Sequence, residues 1–178
     1  FEMYCDLLKS EVDLVMENSG DIRFPNIVFS EDALINESYI ENPAQRLEFY
    51  NHFSRAKTTD DILKIKHELK DRFGRPPVET KNLLFIARAR VLFKNTSVSR
   101  LSINKLGIVL VLDDLMPYSS LDKLFSAFGS FSRAEKVNHV FGKTKSGKLS
   151  VSFSANGIVP SMGLLLKCSR LFFAKKNE

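Results

Sequence analysis

The sequence predicts an α+β fold, a helical first part followed by a small antiparallel sheet with two helices. Two observations carry that prediction. Up to about residue 94 the apolar residues recur at helical spacing; beyond it they fall into short β-branched runs bounded by turn residues. The charge balance shifts at the same place. Residues 1–94 carry 14 Lys+Arg against 16 Asp+Glu, a net of −2, and residues 95–178 carry 12 against 5, a net of +7. Such a split predicts two regions with different surfaces.

At 178 residues the chain can build one good core or two small subdomains. With 44% hydrophobic and 26% charged residues, a globular domain is expected. No apolar run approaches the roughly 18 residues that a membrane span needs. No signal peptide is expected, and a chain opening at Phe1 reads as a piece of something longer.

Met3, Tyr4, Leu7, Leu8, Val12, Val15 and Met16 predict a helix over residues 1–17, stopped by Asn18-Ser19-Gly20. Ile22 to Phe29 is short and apolar, and Pro25 demotes it to an edge strand or extended segment. Residues 31–41 form a connector. Asn42-Pro43-Ala44-Gln45 opens the next helix, with Asn42 as N-cap and Gln45 placed to complete a capping box. Leu47, Phe49, Tyr50, Phe53 and Ala56 are its apolar stripe. A further helix starts at Thr58, with Asp61 three residues on as a second capping box. Ile62, Ile65, Leu69 and Phe73 form one face, and Gly74 with the prolines at 76 and 77 ends it. Pro77 opens a third helix to about Lys94, so apolar that a central position is expected.

Beyond Lys94, Ser99–Asn104 and Ile108–Asp113 read as strands around the turn Lys105-Leu106-Gly107. Ser120 to Phe128 reads as a short helix ended by Gly129. Lys136–Phe141 and Leu149–Ser154 read as a strand pair joined by GKTKSGK, and Gly157 to about Ala174 as a last helix. The expected division is a helix over 1–20, a helical subdomain with an edge strand over 21–94, and an α/β subdomain over 95–178.

No catalytic constellation is expected. Gly142-Lys143-Thr144 resembles the end of a phosphate-binding loop, but that loop needs a glycine at position 137, which is valine, and a helix after it. Lys143, Lys145 and Lys148 nevertheless make a positive tip. It could meet phosphate or acidic protein, or simply keep an edge hairpin soluble. A nucleic-acid-binding second half is therefore the alternative function. The histidines 52, 67 and 139 have no ligand spacing, and Cys5 and Cys168 form no CxxC, so no metal is expected and both thiols should be reduced. Asp113-Asp114 could hold a cation, though a turn after a strand explains it better.

The segment NPAQRLEFYNHFSRAKTTDDILKIKHELKDRFGRPP, residues 42–77, resembles the C-terminal domain of the bacterial transcription-repair coupling factor. The matching residues are Tyr39, Ile40, Gln45, Arg46, Leu47, Tyr50, Ala56, Glu68, Leu69, Asp71, Arg72, Phe73, Gly74 and Pro77. Phe1-Glu2-Met3-Tyr4 resembles the close of the motor region that precedes this domain, so residues 1–20 would trail from that motor. Glu41-Asn42 and Asn51-His52 depart from the pattern. The clear resemblance covers about residues 1–92.

The resemblance implies a non-catalytic, autoinhibitory domain. Full-length members are ATP-driven double-stranded DNA translocases of the bacterial cytoplasm. They displace stalled RNA polymerase and recruit excision repair. ATP and Mg belong to their motor, and this domain would need no cofactor. Its partner would be an N-terminal repair-helicase-like module of the same protein, whose surface for the damage-recognition ATPase it masks. Glu68 and Asp71 match the acidic pair that meets arginines of that module. Spacing alone favours plain surface pairing, Lys64–Glu68 or Glu68–Arg72, worth about 0.3–0.5 kcal/mol. Arg46 is expected to pair with Glu48 or a nearby carboxylate, and Phe73-Gly74 to be a helix terminus and core plug.

Overall fold

The computed structural model describes residues 22–113 and 118–173. The expected helix over residues 1–17 and Cys5 lie outside them. The described residues divide into two compact units, a helical one over 33–95 and an α/β one made of 24–32 with the residues from 96 onward.

In the helical unit, α1 spans Pro43–Arg55, α2 Thr59–Phe73 and α3 Val78–Leu92. The expected starts hold, except that the Gln45 side chain makes no hydrogen bond among the described residues and so closes no capping box on Asn42. The Asn42 side chain accepts hydrogen bonds from the backbone N–H of Ala44 (2.9 Å) and Gln45 (3.4 Å). Thr58 and Asp61 complete a reciprocal capping box: Asp61 N–H donates to Thr58 Oγ1 at 3.1 Å and Thr58 N–H to Asp61 Oδ2 at 2.9 Å. Lys57 N–H adds a second bond to the same carboxylate, at 3.0 Å, so three N–H groups at this helix start find partners. Gly74 ends α2 with φ of 80°, a left-handed conformation that needs glycine. α3 begins after Pro77 and is buried along most of its length, as its composition predicts. Phe49, Phe53, Ile62, Ile65, Leu69, Leu83 and Leu84 form one core with Ile35 and Ile40 from the connector.

In the α/β unit, β1 (Asn26–Phe29), β2 (Val98–Asn104), β3 (Gly107–Leu112), β4 (His139–Lys143) and β5 (Leu149–Ser154) form one sheet in the order β1-β2-β3-β5-β4. The sheet is mixed, not antiparallel throughout. β1 pairs with β2 in parallel, Ile27 opposite Leu101, and every other pair is antiparallel. A parallel pair needs a long crossover, and the helical unit is inserted between these two strands. β1 is an edge strand as Pro25 predicts, but it belongs to the sheet and not to the helices.

The helices of this unit are α4 (Tyr118–Glu135), α5 (Ile158–Cys168) and α6 (Arg170–Phe173). α4 does not stop at Gly129. A glycine inside a helix costs about 1 kcal/mol, whereas Leu124, Phe128 and Phe131 are all buried along this helix. Each such burial contributes about 1.5–3 kcal/mol, so packing wins. The helix ends at Lys136, whose φ is 53°, with Val137 N–H reaching back to Ser132 O at 3.1 Å. That turn uses the residues expected to begin β4, and the strand starts at His139 instead. The last predicted helix is likewise broken, at Ser169, whose hydroxyl donates to Leu166 O at 2.8 Å.

The sheet buries Leu101, Ile103, Ile108, Leu110, Val151 and Phe153. Phe128 and Phe131 of α4 meet Phe153 edge-on, with centroids 5.6 and 5.3 Å apart. Hence Phe128, Phe131 and Phe153 are packing residues. Cys168 sits in this core, and burial pushes its thiol up to about 12, so it is an inert small hydrophobe.

Candidate functional site

The candidate surface is the polar side of α2, which the capping box starts and Gly74 stops. Ile62, Ile65 and Leu69 turn inward, which leaves Asp60, Lys64, Lys70 and Asp71 exposed. Asp60 pairs with Lys64 at 3.0 Å across one turn, where both side chains are largely solvated and the bond is weak.

Glu68 and Asp71 differ. Glu68 is half-buried and accepts from Arg72 Nη1 at 2.7 Å, and its other oxygen lies 4.0 Å from His52 Nδ1 of α1. Of the two pairings that spacing allows, Glu68–Arg72 forms, and Lys64 serves Asp60. Asp71 is exposed and makes no ion pair or hydrogen bond among the described residues. Of the two carboxylates, Asp71 alone stands free in solvent.

The other matching residues hold this helix end in place. Arg72 lies over the rings of Phe49 and Phe73, 5.4 and 5.1 Å from their centroids. The Tyr39 hydroxyl lies 3.0 Å from both Leu69 O and Gly74 O, at the C-terminal end of α2. Burial raises the Tyr39 hydroxyl above its ordinary pKa. Arg46 does not pair with Glu48 or another carboxylate. Its Nη1 donates to Ile40 O at 2.7 Å and Glu41 O at 2.9 Å, fastening the connector to α1. Phe73 packs against the core and Phe49, as a plug should. These fastenings were not legible in the sequence, because each joins residues from separate elements. The i, i+4 spacing of Glu68 and Arg72 was the one local signal.

The positive tip of the α/β unit is only partly free. Lys148 donates to Asp113 at 3.2 Å, and Asp114 lies outside the described residues. Lys143 and Lys145 are exposed and make no ion pair among the described residues. The loop between them and β5 is a hydrogen-bonded turn: Thr144 N–H donates to Lys148 O at 2.8 Å and Gly147 N–H to Thr144 O at 2.9 Å. The Thr144 and Gly147 N–H groups are therefore used inside the turn. Among the described residues no group of His, Cys, Asp and Glu could hold a metal, and no helix is long and apolar enough to cross a membrane.

A family model described as the TRCF domain matches residues 29–120, just over half of the chain and all three helices of the helical unit. The chain belongs to the TRCF domain family. It is 33% identical over 116 residues to the transcription-repair-coupling factor of Buchnera aphidicola, covering 61% of this chain and 14% of that protein. To the Escherichia coli transcription-repair-coupling factor it is 29% identical over 123 residues, which are 62% of this chain and 10% of that protein. The Myxococcus xanthus protein of the same name is 27% identical over 113 residues, 63% of this chain and 9% of that one. The chain thus spans a small part of the length of these relatives. A crystal structure of the C-terminal domain of transcription-repair coupling factor shares the α+β fold, with a TM-score of 0.67 over 87% of this chain and 98% of that one at 16% identity. The TRCF resemblance seen at residues 42–77 therefore extends, as fold, through the sheet.

Proposed function

We propose that this TRCF-family chain is the regulatory end of a transcription-repair coupling factor and acts by covering another module of the same protein. The reading is supported most by one observation. Two residues that match the family, Tyr39 and Arg72, anchor the C-terminal half of α2, yet Asp71 on that half is exposed and unpaired among the described residues. A rigid helix end presenting an uncommitted carboxylate suits recognition of arginines on a partner surface. Glu68 would contribute by giving up or sharing Arg72.

In the full-length protein, an ATP- and Mg-dependent motor would translocate on double-stranded DNA, in the bacterial cytoplasm, and displace stalled RNA polymerase. This domain would be non-catalytic. It would mask the N-terminal repair-helicase-like module until the factor engages polymerase, and then release the surface that binds the damage-recognition ATPase. Contacts between exposed charges are individually worth about 0–1 kcal/mol. A clamp built on them is releasable, because a switch needs only a few kcal/mol between its states.

The test uses the full-length protein. Replacing Glu68 and Asp71 together by alanine is expected to raise its binding to the damage-recognition ATPase in a pull-down. Binding that stays at the wild-type level removes the acidic pair from the interface.

A further inference from the structure

The outer edge of β4 is a second candidate docking surface, and it belongs to the α/β unit alone. β4 is the terminal strand of the sheet. Its register with β5 sets His139 opposite Phe153, Phe141 opposite Val151 and Lys143 opposite Leu149. The pairs just beyond both ends are hydrogen-bonded: Ser154 N–H donates to Asn138 O at 3.0 Å, and Thr144 N–H to Lys148 O at 2.8 Å. Antiparallel pairs alternate between bonded and non-bonded, so Val140 and Gly142 bond to β5. The N–H and C=O groups of His139, Phe141 and Lys143 therefore point away from the sheet, and no backbone group among the described residues meets them.

Two further features are unusual for such an edge. Edge strands are commonly blunted by proline, a bulge or inward charge. β4 has no proline and no bulge, its one charge is Lys143 at the strand end, and it leaves Val140 63% and Phe141 38% exposed. Its charge also has one sign. Residues 136–148 contain Lys136, Lys143, Lys145 and Lys148 and no Asp or Glu. Lys148 is neutralised by Asp113, which leaves three lysines unpaired among the described residues.

We propose that the outer edge of β4 receives an extended acidic segment of another protein by strand addition. The open backbone supplies the pairing, Val140 and Phe141 supply apolar contact on the two faces, and Lys136, Lys143 and Lys145 select carboxylates. Charge decides against a second copy of this chain as occupant. Pairing β4 with another β4 would set lysine-rich segments side by side with no carboxylate between them. The proposal does not depend on Glu68 or Asp71, which lie on the other unit.

The experiment titrates the chain with a short synthetic peptide alternating valine with glutamate, and in parallel with one alternating valine with lysine and with a short DNA duplex. Binding is read by fluorescence anisotropy, and amide hydrogen exchange by NMR. The glutamate peptide is expected to bind and to slow exchange at His139, Phe141 and Lys143. The double variant Lys143→Glu, Lys145→Glu should weaken it about tenfold or more. Lys143→Pro, which removes an outward N–H and no bond to β5, should weaken it more than Lys143→Gln. The β4–β5 amide pattern reports that each variant is folded. The proposal is overturned by any of four results: no binding of the glutamate peptide at low salt, equal binding of the lysine peptide, unchanged exchange at those three amides at saturation, or tighter binding of the duplex than of the glutamate peptide. A dimer in sedimentation that already protects the three amides would overturn it too.

Discussion

Arg72 Nη1 meets Glu68 Oε1 at 2.7 Å while the same guanidinium lies 5.1 Å from the Phe73 ring centroid. This one contact separates two acidic residues that look equivalent in sequence. Glu68 is tied into the wall of the helical unit, and Asp71 is not. Removing Arg72 should therefore do two things, release Glu68 and uncover the Phe49 and Phe73 rings. Arg72→Ala is expected to destabilise the helical unit by about 1 kcal/mol, through lost stacking and the lost pair together. Urea denaturation measures it. An unchanged midpoint would mean that the stacking contributes nothing.

Tyr39 is the fastening whose loss should cost most per atom removed. Tyr39→Phe keeps the ring, which packs edge-on to Phe73 with centroids 6.0 Å apart, and deletes only the hydroxyl shared by Leu69 O and Gly74 O. A destabilisation of about 1–2 kcal/mol is expected, because a polar group near the core loses its partner. Denaturation of the two proteins side by side checks it.

Asp61 should make stability fall in acid. Its carboxylate is held below the usual aspartate range, first by the Lys57 N–H and then by the Thr58 side chain and Thr58 N–H. The depressed carboxyl favours the folded state above the unfolded-state value of about 3.9. That contribution is lost as pH drops through the lower folded-state value. Below about pH 4, Asp61→Asn should therefore flatten the dependence of the unfolding midpoint on pH relative to wild type.

Two glycines should respond in opposite directions. Gly129 lies inside α4 with nothing within 4 Å of where a Cβ would stand. Gly129→Ala is expected to stabilise by about 0.5–1 kcal/mol. At Gly107, φ is 143° and a Cβ would overlap the carbonyl of Phe153. Gly107→Ala should destabilise by at least about 2 kcal/mol and disturb the β3–β5 pairing. Thermal melts of both variants decide it.

Those two positions also show what the sequence could and could not reveal. Local chemistry was legible: Asn42, Thr58 with Asp61, and Gly74 each mark a helix end through bonds within a few residues. Gly129 misled because its helix-breaking tendency is weak against buried phenylalanines whose partners, such as Phe153, are distant in sequence. The parallel pairing of β1 was hidden for the same reason, since its partner strand follows the whole helical unit. At the candidate site the acidic pair was visible from the family resemblance. Its inequality was not, because that depends on where Arg72, Phe49 and Phe73 meet in space.

In the proposed clamp, Asp71 meets a cationic surface of the same protein and so holds the factor closed. The most direct measurement compares binding of the damage-recognition ATPase to the full-length wild-type protein and to Asp71→Lys, with Glu68 left intact. Asp71 is exposed and unpaired among the described residues, so the substitution should leave stability within about 0.5 kcal/mol. Markedly stronger binding by Asp71→Lys is expected, exceeding that of Glu68→Ala. Equal binding by wild type and Asp71→Lys, at unchanged stability, would contradict the proposed clamp.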